Sequence, residues 1–361
     1  MKNDNLDKFI NKIKLGNCLE ELKKIPSKSI DLIFADPPYF MQTGTGTLYR
    51  INGNKYNGVD DEWDKFDSYK EYDKFTRKWL TQCRRILKDK GSIWVMGTFH
   101  NIYRLGYIIQ DLNFWIINDI TWEKTNPTPN FRGTKFVNSN ENLIWFTKSQ
   151  NSKFTFNYKT MKNENKKKQM GSVWKFSICS GKERLKDNNG NKLHNTQKPE
   201  DLLRRIILAS TKINDVILDP FFGTGTTGAV AKKLHRNFIG IENNEKYINY
   251  ANDRIKNVDK ISKNDPFFDY IKAKFDEKIK YPKILDLIRE NKIKSKYLYN
   301  LKEDKVYLNS EGKIKINNVK YSIHKATEIF ENGRYLNGWK YWYIKEGNNY
   351  ISIDDIRKDV K

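Results

Sequence analysis

The stretch "VILDPFFGTGTTGAVAKKL", Val216 to Leu234, restricts the possible folds of this chain more than any other. An apolar run that passes through a Gly-x-Gly turn into residues of helical period predicts a strand at Val216 to Leu218, a tight loop and a helix at Thr227 to Leu234. A further strand at Phe238 to Glu242 and a helix at Glu245 to Ile255 follow. The same alternation opens the chain. A strand is predicted at Ile13 to Leu15, a helix at Leu19 to Lys24 and a strand at Ile30 to Ala35, the last apolar enough to be buried on both faces. The helical spacing of Tyr72, Phe75, Trp79, Cys83, Ile86 and Leu87 predicts a helix ended by Gly91, followed by the strand "SIWVMG". A helix at Asn101 to Asp111, a strand at Trp115 to Trp122 and a helix at Pro199 to Ser210 complete an α/β pattern around a parallel sheet.

The pattern breaks twice. Residues 123 to 190 are polar and basic with interleaved aromatics and read as an insertion. Residues 41 to 62, which include "TGTGT", read as a long substrate-side loop. After a helix at Pro282 to Asn291, short β-like runs replace the long βα units. The expected organisation is one domain over 1–277 and a small α+β domain over 278–361.

The glycine loop selects its ligand by charge. It lacks the lysine and the Ser or Thr of a phosphate loop, and Asp219 at its entrance repels phosphate and attracts an amine. Glu242, at the end of the next strand, suits two ribose hydroxyls. A ligand with an adenine, a ribose and a cationic amino-acid end fits, and S-adenosylmethionine has those parts. A close helix-to-strand packing turn is the structural alternative for the glycines taken alone.

In "IDLIFADPPYFMQ", Asp36 ends a strand and Pro37 and Pro38 remove two backbone donors. The Asp36 carboxylate and Pro37 carbonyl are expected to form a donor-free pair of acceptors for an exocyclic amino group. Tyr39, with Phe40 beside it, is expected to offer a face for a flipped base. Positioning of this kind can supply about 7–11 kcal/mol of catalysis without a metal or a strong base.

Composition supports an acidic partner. The net charge of +23 nominates nucleic acid, although an AT-rich genome also produces lysine-rich chains. Cys18, Cys83 and Cys179 and the four histidines are scattered without metal-ligand spacing, so no metal is expected. No apolar run is long enough to span a membrane and the N-terminal segment is polar, so the expected location is the cytoplasm, on the nucleoid through DNA binding.

"DPPY" with "DPFFGTGTTG", joined by "HNTQKPEDLL", "NPTPNFRG" and "NGWKYWY", resembles the S-adenosylmethionine-dependent amino-group DNA methyltransferases. The catalytic motif precedes the cofactor motif, which resembles their circularly permuted beta class. The closest likeness is to cell-cycle-regulated and restriction-modification enzymes that modify adenine in GANTC. The resemblance implies a Rossmann-like methyltransferase fold and places the target base on Asp36, Pro37, Pro38 and Tyr39. It implies a cofactor site of Asn17, Asp36, Thr196, Gln197, Lys198, Pro199, Asp219, Phe221, Gly223, Gly225, Thr226 and Glu242. DNA contacts are implied for Asn126, Asn130, Arg132, Lys135 and Trp339, with double-stranded DNA as partner, a homodimer and a cognate restriction endonuclease. The family usually carries Asp where Asn17 stands, and His where Asn140 stands. N4-cytosine methylation, and an inactive DNA-binding protein of the same fold, are the alternatives. C5-cytosine chemistry lacks its cysteine beside proline.

Overall fold

The computed structural model describes residues 4–41, 48–49, 55–56, 64–130, 133–187, 190, 192–193, 196–272, 282–334, 336–347 and 349–360. The chain divides into two compact units, Met1–Phe275 and Asp276–Lys361. The expected boundary at 277/278 falls outside the described residues, as do Arg132 and the "TGTGT" loop.

The first unit is built on α1 (Asp4–Asp7), β1 (Lys12–Leu15), α2 (Cys18–Lys24), β2 (Ile30–Ala35), a small ladder of β3 (Leu48–Tyr49) and β4 (Lys55–Tyr56), α3 (Tyr69–Ile86) and β5 (Leu87–Gly97). It continues through α4 (Ile102–Asp111), β6 (Trp115–Lys124), β7 (Asn140–Thr147), α5 (Tyr158–Glu164), β8 (Val173–Phe176), α6 (Glu200–Ser210), β9 (Val216–Asp219), α7 (Thr226–Lys233), β10 (Asn237–Glu242), α8 (Glu245–Lys256) and α9 (Phe268–Lys272). Eight of these strands form one sheet in the order β1-β10-β9-β2-β5-β7-β6-β8. All pairings are parallel except those of β7, which runs against both neighbours.

Strand β2 shows why this sheet is closed on both sides. Leu32 and Phe34 enter one core with α6 and α7, while Ile33 and Ala35 enter the other with α3 and α4. Burial on both faces leaves the ends of the central strands as their accessible part. β2 and β9 are neighbours, paired at Ile33 and Leu218. From β2 the chain continues to β5 on one side, and from β9 to β10 on the other. The gap between their carboxyl ends is therefore the switch point where open α/β sheets bind ligands.

Two expectations are corrected. Gly91 does not end α3. The helix ends at Ile86 with Leu87 as its C-cap, and Gly91 lies inside β5, where a Cβ would stand 2.8 Å from the Asp31 carbonyl oxygen. Residues 123 to 190 are not outside the sheet, because "NENLIWFT" forms β7, inserted between β5 and β6, and β8 forms its edge. The apolar run "LIWF" carried that signal. Its antiparallel direction did not fit the βα rhythm in which the other strands were found.

The second unit holds α10 (Ile284–Arg289), β11 (Tyr297–Tyr299), β12 (Lys305–Leu308), β13 (Ile314–Ile316), β14 (Val319–Tyr321), α11 (Ile323–Phe330), α12 (Gly338–Tyr341), β15 (Tyr343–Glu346), β16 (Asn349–Ser352) and α13 (Ile353–Asp359). Its six strands form an antiparallel sheet in the order β14-β13-β12-β11-β15-β16. One face packs around fully buried Trp342 with Leu298, Ile314 and Ile353.

Candidate active site

A cavity of about 300 Å³ opens at the carboxyl ends of β2 and β9. Asn17, the Asp36 to Tyr39 segment, Thr196 to Lys198, Asp219, Phe221, Gly223, Thr226 and Glu242 all line it. Residues some 180 positions apart in the chain are thus brought to one pocket by two adjacent strands.

On the β9 side the glycine loop is held from below by carboxylates. The Gly223 amide donates to Glu242 at 2.7 Å, and the other Glu242 oxygen accepts from the Asn243 and Asn244 amides at 3.0 and 2.9 Å. Burial raises the Glu242 carboxyl above its ordinary range against the pull of these amides. Gly225 has φ +79°, and a Cβ there would lie 2.8 Å from that of Ala251, so only glycine fits this turn without movement. Asp219 is 3% exposed and accepts from the Phe221 amide at 3.0 Å and the Thr227 hydroxyl at 2.6 Å. Burial raises its carboxyl to about 7, opposed by those two hydrogen bonds and reinforced by Asp36 and Glu242. Phe221 packs edge-on to Trp79 at 5.5 Å, which fixes its ring at the cavity wall. Asn17 caps α2, its side-chain oxygen accepting from the Leu19 amide at 2.8 Å. That oxygen, expected to serve a ligand, already has one partner.

On the β2 side the expected donor-free acceptor is not what the fold builds. The Tyr39 hydroxyl donates to one Asp36 oxygen at 2.6 Å, and the Lys198 ammonium donates to the other at 2.7 Å. A carboxylate with side-chain exposure of only 17% needs such partners, and each oxygen keeps a second lone pair for another donor. Lys198 also donates to the Thr196 carbonyl at 3.0 Å and lies 5.3 Å from the Tyr39 ring centre. Tyr39 is 5% exposed, so it clamps Asp36 and does not present an open face. Burial, Asp36 and Glu141 hold its hydroxyl protonated, well above the ordinary tyrosine range. Phe40 is buried with φ +51° and packs among Phe66, Tyr69 and Tyr72.

Three supports of this segment escaped the sequence reading. Asp64 accepts from the amides of Tyr39, Phe40 and Met41 at 2.5, 2.7 and 2.8 Å, shaping the chain just past the prolines. Tyr72 donates to the Pro38 carbonyl at 3.0 Å and receives a bond from Asn101 at 3.1 Å. Glu141 pairs with Lys124 at 2.8 Å, both side chains 13% exposed, and lies 3.5 Å from the Tyr39 hydroxyl. An acid in a polar loop such as "DEWDKFD" carries no pattern that marks it as an amide acceptor; Glu141, at the head of an apolar strand, carried a weak one.

The remaining expected residues have structural partners. Gln197 bridges the Glu183 carbonyl and the Leu185 amide at 2.9 and 3.0 Å, and Pro199 is the N-cap of α6. Thr226 accepts from Arg254 at 2.9 Å, and Arg254 in turn pairs with Glu200. Asn126 accepts from the Ile178 amide at 2.7 Å, and Asn130 donates to the Lys135 carbonyl at 2.7 Å. Lys135 is exposed, with its amine 5.7 Å from the Phe99 ring centre. Trp339 packs on the second core beneath Arg357.

The fold and this edge-of-sheet cavity define a Rossmann-like α/β domain with a ligand site at the carboxyl edge of its sheet. The DNA methylase family profile, which covers N6 and N4 amino-group enzymes, matches residues 30–253. Type II methyltransferase M.HinfI of Haemophilus influenzae is 51% identical over 99% of this chain and 98% of its own length. Type II methyltransferase M2.LlaDCHI of Lactococcus lactis subsp. cremoris is 45% identical over 65% of this chain and 85% of its own. The solved structure of an M1.HpyAVI–SAM complex overlays with a TM-score of 0.50 at 24% identity, over 68% of this chain and 98% of that one. The cytosine-N4-specific PvuII DNA methyltransferase overlays with a TM-score of 0.52 at 19% identity, over 73% and 93%. These two overlays concern the fold. The chain belongs to the N6/N4 DNA methylase family: it is a DNA methyltransferase, and S-adenosylmethionine is its methyl donor. Among the described residues there is no cluster able to hold a metal, and no helix is long and apolar enough to cross a membrane.

Proposed function

We propose that this enzyme methylates N6 of an adenine flipped out of double-stranded DNA, within GANTC. The observation that carries the reading is that the Asp36 and Asp219 carboxylates, on neighbouring strand ends, line one cavity. The family unites adenine and cytosine amino-group enzymes, and an aspartate at position 36, where the cytosine enzymes usually have serine, favours adenine. The resemblance to GANTC enzymes supplies the sequence context.

S-adenosylmethionine fits the donor set of the cavity: a buried acid at the glycine loop, a second acid at the end of β10 and an aromatic wall at Phe221. Asp219 would face its cationic end, Glu242 its ribose, and Asn17 and Phe221 its adenine. When bound, it supplies an electrophilic methyl on a sulfonium. The protein's own task is to make an amide-like amine nucleophilic. Asp36 and the Pro37 carbonyl accept its two hydrogens, which draws the nitrogen out of ring conjugation, and Asp36 takes the proton that the nitrogen gives up. Tyr39 and Lys198 hold the carboxylate in place for this, and Asp64 and Tyr72 hold the segment that bears it.

Residues 1–277 would carry the transfer chemistry. Residues 123–190, with exposed Lys135 and the neighbouring Arg132, would face the target, and residues 278–361 would contact DNA. A homodimer, a companion endonuclease acting on the same site and a nucleoid location are proposed on the same kinship. The test is expression in a methylation-free host with genome-wide mapping of modified bases. N6-methyladenine in GANTC is expected. Methyl on cytosine would overturn the base, and another motif would overturn GANTC while leaving the chemistry standing.

A further inference from the structure

Glu141 stands behind the cavity wall, not in it, and meets the active site through the Tyr39 hydroxyl. The reversed direction of β7 brings it there. Because β7 runs against its neighbours, its first residues reach the edge at which β5 ends, and Asn142 lies opposite Gly97, the last residue of β5. Glu141 lies opposite Trp122, and Lys124 follows two residues further along β6 on the same face, a diagonal that a long side chain spans. The pair is 2.8 Å apart with both side chains 13% exposed, so two charges have been taken largely out of water. Folding does not require this, since well-packed apolar residues in such a place are often as stabilising or more so.

Lys124 binds Oε1 of Glu141, while Oε2 lies 3.5 Å from the Tyr39 hydroxyl. That hydroxyl faces two carboxylates with one hydrogen to give: Asp36 at 2.6 Å, and Glu141 at a distance long for a hydroxyl bond, as befits the contact without the hydrogen. Once Asp36 gains a proton it becomes a donor to the phenol oxygen, and the phenol hydrogen is free to turn to Glu141. The other partner of Asp36 lacks this freedom. Lys198 is an ammonium, which donates and cannot accept. Its burial favours loss of the charge, but Asp36 and Glu141 outweigh that and hold its pKa above the ordinary lysine range.

We propose that Tyr39 relays the proton shed by the target amine from Asp36 to Glu141, so that Glu141 restores the amine acceptor for the next turnover. The relay rests on the reading of Asp36 as the group that takes that proton. The bond that forms joins the amine nitrogen to the methyl, and the bond that breaks leaves its electron pair on sulfur. The nitrogen then carries one proton too many, which passes to Asp36. Asp36 hands it to the Tyr39 oxygen as Tyr39 gives its own hydrogen to Glu141. The two transfers go together, because burial, Asp36 and Glu141 hold the hydroxyl protonated and no phenolate accumulates. Glu141 passes the proton to water at its exposed edge, and Lys124 fixes the direction in which its free oxygen points.

The test follows labelled methyl in single turnovers of the full-length enzyme on DNA from a methylation-free host, so that product release does not set the rate. Glu141→Gln keeps a carbonyl oxygen for Tyr39 but no site for the proton, and a fall of about 10²-fold is expected. Because the pair with Lys124 also supports the fold, chemical rescue separates the two roles. Glu141→Ala opens room for formate, a small carboxylate that can take the proton instead. Formate is expected to raise the rate of Glu141→Ala at least about tenfold and to leave that of Glu141→Gln unchanged. A loss of structural support alone would not answer to formate. A wild-type rate in Glu141→Gln, or a deficit in Glu141→Ala that formate leaves in place, would overturn the relay. Should Glu141→Ala not fold, Tyr39→Phe joins Glu141→Gln as the deciding variant: it interrupts the path, and a wild-type rate in either overturns it. The label is counted on whichever base carries it, so failure of the relay appears in the rate and failure of the adenine assignment in the position of the mark.

Discussion

The two sheets of this molecule expose different parts of themselves. The central strands of the eight-stranded sheet are buried on both faces, so its polar chemistry is gathered at the ends of β2 and β9, where each functional side chain is held by others. The six-stranded sheet is buried on one face, so the other presents a field of tyrosines and lysines to solvent. At the closed sheet a functional group is also a structural one, and replacing it should disturb fold and chemistry together. At the open sheet the two separate.

The largest expected effect lies at the closed edge. Asp36→Ala should lower methyl transfer on the order of 10³-fold or more, since it removes the carboxylate proposed to orient the amine. Cofactor affinity, measured by calorimetry, should change far less, because Asp219 and Glu242 remain. Undiminished turnover in a labelled-methyl assay would place the amino-group acceptor elsewhere.

Lysine replacements at the two sheets make the contrast direct. Lys198→Met leaves a nearly buried carboxylate without its cation, and breaking such a pair costs about 3–5 kcal/mol. A fall in kcat on the order of 10²-fold is expected together with a lowered Tm. Lys315→Met, on the open face, should change stability by no more than about 0.5 kcal/mol. Equal effects in a pair of denaturation curves would erase the distinction between the sheets.

How much of this could be read from the sequence follows the same division. The elements β2, β9 and β10 and the placement of Asp36, Asp219 and Glu242 at their ends were legible, because buried parallel strands and glycine turns are local patterns. The short runs of the second unit were legible as β-like for the same reason. What held Asp36 was not. Lys198 and Tyr39 were both singled out, one for the cofactor and one for the base, but their joint grip on a single carboxylate depends on a contact between residues 162 positions apart. Asp64 was invisible because three amide bonds to Tyr39, Phe40 and Met41 leave no periodicity in the loop that supplies them. β7 was hidden by an expectation of parallel βα units that its direction does not meet.

Asp64→Asn probes that concealed support. An amide offers one acceptor oxygen where the carboxylate offers two, and its own N–H groups would confront the Met41 amide. A destabilisation of about 1–3 kcal/mol is expected from the unsatisfied buried amide. Activity should fall about tenfold through the displaced Tyr39 segment, a modest loss beside that of Asp36→Ala. Wild-type kinetics in this variant would mean that the prolines alone hold the segment.

One expected effect has the opposite sign. Burial raises the Asp219 carboxyl to about 7 in the folded protein, from 3.8 when solvated. An acid whose pKa is raised by folding binds its proton more tightly in the native state, so its contribution is complete below about pH 4 and is lost as pH rises through 7. At pH 8 the apo enzyme must bury an ionised carboxylate against Asp36 and Glu242, and in the proposed binding mode the cation of the methyl donor would relieve it. Asp219→Asn keeps an acceptor for the Phe221 amide and removes the charge. It should raise the Tm of the apo protein by a few degrees at pH 8 and leave it near wild type at pH 4. The same substitution should weaken S-adenosylmethionine binding, so that wild type regains the advantage once the donor is added. A variant less stable than wild type at both pH values would show that Asp219 is anchored by Thr227 and Phe221 strongly enough to carry its charge without cost.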